Sequence, residues 1–248
     1  RLDADGSKLL YSTYIGGSKD DYACGIHPNA DGSLVLSGGS ESSNFPVKNA
    51  FNRKNSGNRD AVLLKLSKDG KSLAFSTYYG GSGDDWIEAQ SVDAKGCPYI
   101  VGCTYSSNLP VKDAFQSAYR GKGDVFLAKF APSGGALVYA TYFGGPGLDD
   151  VGDISVSAKG AVTMAGHTDS NVFPLKNAWD TTRNGVADVF VAQFAPSGRS
   201  LVFSTYMGGN GYDYTSRVDV DAAGSVWVFG KTTSKDFPVQ DAYNPGLS

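Results

Sequence analysis

The chain has 248 residues with 25 acidic against 22 basic side chains, for a net charge of −3. Lys and Arg are scattered, so nucleic-acid binding has no electrostatic footprint, and no apolar run is long enough to cross a bilayer as a helix. With 41% apolar residues, 3 Trp, 14 Tyr and 13 Phe spread along its length, the sequence reads as folded rather than disordered. It opens at "RLDADG" rather than at a Met, as a processed protein or an excised fragment would.

In chain order, a strand is expected over 8–15, and it carries "STYIGG" at 12–17. The same line returns as "STYYGG" (76–81), "ATYFGG" (140–145) and "STYMGG" (204–209), always 64 residues on. "NADGSLVLSGGSESS" (29–43) and "NFPVKNAF" (44–51) recur at the same step, as does "DAVLLKLSKDG" (60–70) through 124–134 and 188–198. A fixed period of this length predicts stacked or radial repeats. Within one repeat, "DVFLAKF" (124–130) alternates and is β-rich, "LVYATYF" (137–143) is apolar and aromatic beyond a "PSG" turn, and the alternating "DISVS" (153–157) leads through an "AKG" turn into "AVTMAGHT" (161–168). Each repeat thus holds four short strands and one long loop, in which "VKNAF" has the pattern of a single helical turn. The Gly pair is expected to end a strand and supply positive φ to the link. The F-P or L-P of the loop is expected to plug an apolar residue against the sheet, with Pro stiffening the chain.

Four antiparallel strands per repeat is the unit of a β-propeller blade. The expectation is an all-β fold in one domain over 1–248. Its blades lie at about 22–80, 86–144 and 150–208, with a fourth formed from 216–248 plus 1–15. A four-bladed ring and an arc of a larger propeller both fit. Four first, four second and four fourth strands are counted, but only three third strands. That gap leaves unpaired edges, to be filled by further chain or by another molecule.

"STYxGG", the Asp four residues after it, "D-A-x-G" before an apolar strand, "S-x-F-P" and "D-V-F-x-A-K-F" together resemble the SBBP repeat, a bacterial β-propeller family named for seven blades. The resemblance runs through almost the whole chain. Leu109 in place of Phe and Ala140 in place of Ser are departures. The resemblance implies part of a large secreted or surface-attached protein, with no activity specified.

Candidate chemistry is sparse. Asp21, Asp85, Asp149 and Asp213 recur after the Gly pair and can form a ring of carboxylates for Ca²⁺ or a sugar. The competing and preferred reading is a turn-stabilising side chain, because a position kept in every repeat serves the repeat. Asp20, Asp84 and Asp150 add acid to three links. Cys24, Cys97 and Cys103 are odd in number and ignore the period, so they read as small buried side chains rather than a disulfide framework. Function can hide where the repeat is broken: His27, His167 (in phase with Cys103, Gly39 and Lys231), Trp86, Tyr105, Tyr119, Tyr212 and Tyr214. No nucleophile elbow, P-loop or zinc spacing is present. With chemistry this sparse and the location that the resemblance implies, the first expectation is a non-enzymatic extracellular scaffold without a cofactor. It binds other chains, copies of itself or a glycan, on a bacterial surface. A lectin or carbohydrate-active enzyme, and a calcium-dependent adhesin, are the alternatives.

Overall fold

The computed structural model describes residues 1–246. Fourteen antiparallel strands make up the fold, and no helix occurs among the described residues. The first sheet is β1 (Asp21–Pro28), β2 (Leu34–Ser40), β3 (Asp60–Leu66) and β4 (Leu73–Tyr79), in that spatial order. The second is β5 (Asp85–Val92), β6 (Pro98–Thr104), β7 (Asp124–Phe130) and β8 (Leu137–Phe143). The third is β9 (Asp149–Val156), β10 (Val162–Thr168), β11 (Asp188–Phe194) and β12 (Leu201–Met207). A two-stranded sheet, β13 (Asp213–Val220) and β14 (Val226–Thr232), completes the series.

The first strands lie side by side, β1 with β5, β5 with β9, and β9 with β13, so the sheets follow one another face to face. Middle strands such as β7 are buried on both faces, so "DVFLAKF" serves as a nearly unbroken buried run and not as the half-exposed strand that alternation implies. Between the first two sheets, Phe75, Tyr79 and Leu63 meet Ile100, Phe126 and Phe130. Between the second and third, Tyr99, Val101 and Phe143 meet Met164, Phe190 and Phe194. Ring contacts there are largely edge-to-face, as for Phe143 and Phe194 with centroids 5.2 Å apart. Each turn "x-S-G" docks on the preceding fourth strand. Gly134 (φ 70°) sits against the Phe75 ring and Gly198 (φ 72°) against Tyr139.

The motif S-T-Y anchors the long loop. Tyr142 Oη donates to the Ser106 carbonyl at 2.7 Å and accepts the Leu109 N–H at 2.8 Å. Tyr78 does the same with Ser42 and Phe45, and Tyr206 donates to Ser170. One residue earlier, Thr141 Oγ1 accepts the Gln116 N–H at 2.8 Å, and Thr77 and Thr205 have equivalent partners. Phe45, Leu109 and Phe173 are buried beneath their loops, as the plug reading expects.

Three expectations need correction. "VKNAF" is not a helical turn: the loop runs back along its own fourth strand, bridging Lys48 to Ser76 and Asn52 to Tyr78. Asn49, Asp113, Asn177 and Asp241 take φ of 46–48° there, a conformation that short polar side chains tolerate best. The Gly pair does not supply positive φ. A Cβ on Gly80 would lie 2.5 Å from Asp60 Cγ and 2.9 Å from Asp85 Oδ2, so space rather than dihedral angle selects glycine. Residues 8–15 do not form a strand. Only Arg1 and Leu2 stand opposite them, giving the single bridge Leu2–Leu9, and Tyr11 and Ile15 lie on the outer face of the first sheet.

Candidate functional site

The four recurring aspartates occupy four equivalent links. Asp85 Oδ2 accepts the Gly81 N–H and the Ser106 hydroxyl, both at 2.7 Å. Asp149 accepts from Gly145 N–H at 2.7 Å, from Ser170 at 3.2 Å and from Thr168. Asp213 accepts from Gly209 N–H at 2.9 Å and from Ser234 at 2.7 Å. Asp21 takes Gly17 N–H at 2.6 Å, Ser42 at 2.9 Å and Ser40. Each carboxylate therefore ties a link to the end of its own second strand. A second recurring carboxylate, at Asp60, Asp124 and Asp188, opens each third strand and caps backbone N–H groups of the long loop. Burial pushes Asp60, Asp124 and Asp149 up to about 6, and raises Asp85 and Asp188 as well. The ordering of donors around these oxygens describes structural clasps. Among the described residues, no group of three or more His, Cys, Asp or Glu side chains is arranged to hold a metal ion.

The residues that break the repeat do come together. Tyr22, Trp86, Asp150 and Tyr214 share one phase of the first strands, and Gly39, Cys103, His167 and Lys231 stand opposite them on the second strands. Neighbouring sheets connect across this row. Cys103 Sγ donates to Asp150 Oδ1 at 2.6 Å, and the His167 ring lies 6.0 Å from Tyr214 and 5.8 Å from Tyr212. Tyr212 and Tyr214 are 5.4 Å apart, and Trp86 and Tyr105 are 5.5 Å apart. The first strands also carry a β-bulge just beyond the row, at Cys24, Glu88, Gly152 and Ser216. Glu88 uses it to accept the Trp86 indole N–H at 2.6 Å.

The electrostatics of the row are acidic. Burial, reinforced by the Asp150 carboxylate, holds the Cys103 thiol well above its usual range, so it is a donor and not a nucleophile. Burial lowers His167, against the pull of Asp150 and Asp169. Burial raises Tyr105, helped by Cys103, Asp150 and Asp84. The ion pairs of the described residues are Arg59–Glu41, Lys65–Asp31, Lys129–Asp93 and Arg199–Asp113, so Asp84, Glu88, Asp150 and Asp169 have no cationic partner among them.

Of the other positions singled out in the sequence, Tyr119 packs in its loop against Tyr142, at 6.1 Å. His27 is partly buried in β1, opposite Val35 and outside the row that holds His167. Cys97 and Cys103 are buried and free, whereas Cys24 is exposed. Glu88 was legible only as a non-repeating acid two residues from a non-repeating Trp.

The two ends of the array form a further surface. Trp227 (67% exposed) and Phe229 (71%) lie on the outward face of β14, at positions equivalent to buried Tyr99 and Val101. At the other end Ile26 (65%) is open and Leu34 and Leu36 are only partly covered. Among the described residues no hydrogen bond joins residues 1–15 to β13 or β14. No protein-family model matches the chain, and no curated protein matches it.

Proposed function

We propose that the four sheets are blades of a β-propeller of the SBBP repeat kind, and that the chain is a non-enzymatic scaffold working outside a bacterial cell. Its work is contact between sheets. The observation that carries this reading is the pair of apolar flanks: the kind of surface that seals three junctions inside the array is open on β14 and only partly covered by residues 8–15 at the other end, where Ile26 stays exposed. Such flanks are complementary head to tail, since an outward β14 face can receive what β1 and β2 present. A contact of that type is heterologous and builds a ring or a filament. The protein's partner is accordingly a like sheet, supplied by a copy of itself or by another chain bearing the repeat. Hydroxyl–carboxylate pairs that are tied into buried structural clasps, together with a protonated thiol, favour binding over catalysis.

Sedimentation velocity over a concentration series tests the proposal. Self-association is expected, and Trp227→Glu with Phe229→Glu at one end, or Leu36→Glu at the other, should each abolish it while leaving the circular dichroism spectrum unchanged. A parent protein that stays monomeric at every concentration, with flank variants indistinguishable from it, would overturn the self-assembly reading.

A further inference from the structure

The row of non-repeating side chains already carries cations at two of its three aromatic positions. The Arg59 guanidinium lies 5.6 Å from the centre of the Tyr22 ring, and the Lys231 ammonium lies 5.6 Å from that of Tyr214. Trp86, in the same phase, has no such cation among the described residues, although indole is the strongest of the three rings for this interaction. The charges around it have the matching sign. Glu88 holds its indole N–H, while Asp150 lies one sheet further on, beside Cys103, which is paired across the strands with Trp86. Asp84 sits in the preceding link, near Tyr105. None of these carboxylates is in an ion pair, although the Arg59 guanidinium, paired with Glu41, lies near Asp84.

The neighbouring sheet reaches this position differently from the others, and Trp86 is half-buried. Cys103 reaches from the second sheet to Asp150, and His167 from the third to Tyr214. The equivalent reach from the first sheet toward Trp86 falls to Gly39, which has no side chain; Tyr22 lies across Gly39 instead. Tyr105 is 44% exposed and stacks beside Trp86 with the two ring planes 30° apart. An aromatic pair bordered by unpaired carboxylates suits a flat or compact organic cation better than a neutral sugar, because the carboxylates lower the energy of the charged ligand only.

We infer that Trp86 and Tyr105, with Glu88, Asp150 and Asp84, form a receptor for a guanidinium or ammonium group carried by a basic peptide segment. The site is independent of the apolar flanks, so flank variants that abolish self-association leave it intact.

The test is calorimetric titration of the full chain with an amidated tetra-arginine peptide, against its neutral tetra-citrulline analogue and a neutral oligosaccharide, cellotetraose. Saturable binding of tetra-arginine alone is expected. Trp86→Ala should weaken it about 2- to 30-fold, the range for one cation–π contact, and Trp86→Phe should restore part of the loss. Glu88→Gln and Asp150→Asn should each weaken it, whereas Asp219→Asn, which removes a charge at the far end of β13, should not. Thermal melts of each variant guard against misfolding, and Trp86→Phe is the variant least able to disturb packing. Equal losses in Asp219→Asn and Asp150→Asn would mean generic attraction to an acidic protein, and would overturn the site. So would tight binding of cellotetraose that is lost in Trp86→Ala, since it would make the pair a sugar platform.

Discussion

Tyr142 and Tyr14 occupy the same place in the same motif and have opposite fates. Tyr142 is buried, holds two backbone groups of its long loop, and packs under Leu109 and beside Tyr119. Tyr14 is fully exposed, and its segment forms one bridge. The residues "S-T-Y" do not make a strand by themselves. They become one when a third strand lies on one side and a long loop returns on the other. The contrast shows where the stability of a repeat array resides: in interfaces between neighbouring units rather than in the intrinsic preference of each segment.

Substitutions can break that contrast or sharpen it. Tyr142→Ala removes a fully buried ring and should cost about 3–5 kcal/mol in urea unfolding, while Tyr14→Ala should stay within about 0.5 kcal/mol. Comparable losses at both sites would mean that residues 8–15 are packed in solution as the interior strands are. Gly134→Ala comes next. Its left-handed φ of 70° costs an alanine about 1–2 kcal/mol, and the new methyl would intrude on the Phe75 ring, adding about 1–3 kcal/mol of overpacking. Gly6 has φ 74° but open space around it, so Gly6→Ala incurs only the first cost, within a terminal hairpin that contributes little to global unfolding. Tyr142→Phe keeps the ring and deletes the hydroxyl, leaving the Ser106 carbonyl and the Leu109 N–H without their partner. About 1–3 kcal/mol should be lost, against no measurable change for Tyr14→Phe.

The difference between these regions also explains what could be read from the sequence. The period of 64 and the strands at 124–130 and 137–143 were plain, because turn residues bound short β-rich runs. The reason for the Gly pair was not. Glycine is used both for backbone conformation and for close approach, and only the sheet geometry brings Asp60 and Asp85 together over Gly80. The run "VKNAF" likewise has the pattern of one helical turn, because the left-handed φ of Asn49 and its equivalents leaves no trace in apolar periodicity. Trp86, Cys103, His167 and Tyr214 were visible one at a time as breaks in the repeat. Their meeting depends on how first and second strands of successive sheets abut, which no local pattern encodes.

The smallest expected effect concerns protons, and it again separates the junctions from the turns. In the junctions, burial raises Asp60, Asp124 and Asp149 to about 6 in the folded protein, whereas unfolded aspartates titrate near 4. Between about pH 4 and 6 the folded state therefore binds more protons than the unfolded one. The stability from these groups is fully present below about pH 4 and is lost as pH rises through about 6. In the exposed turns the sign is reversed. Hydrogen bonds from Ser33 to Asp31, from Ser67 to Asp69 and from the Ser225 N–H to Asp221 lower those carboxyls, so their contribution is present above about pH 4 and fades as pH falls below it. The melting temperature should therefore peak at mildly acidic pH, between the two windows, and decline toward pH 7. Asp124→Asn should flatten the decline from pH 5 to 7 without touching the acid limb, and Asp69→Asn should soften only the acid limb. A melting temperature that rises steadily from pH 5 to 7 in the parent would mean that the buried clasps are ionised throughout, held so by the backbone donors around them.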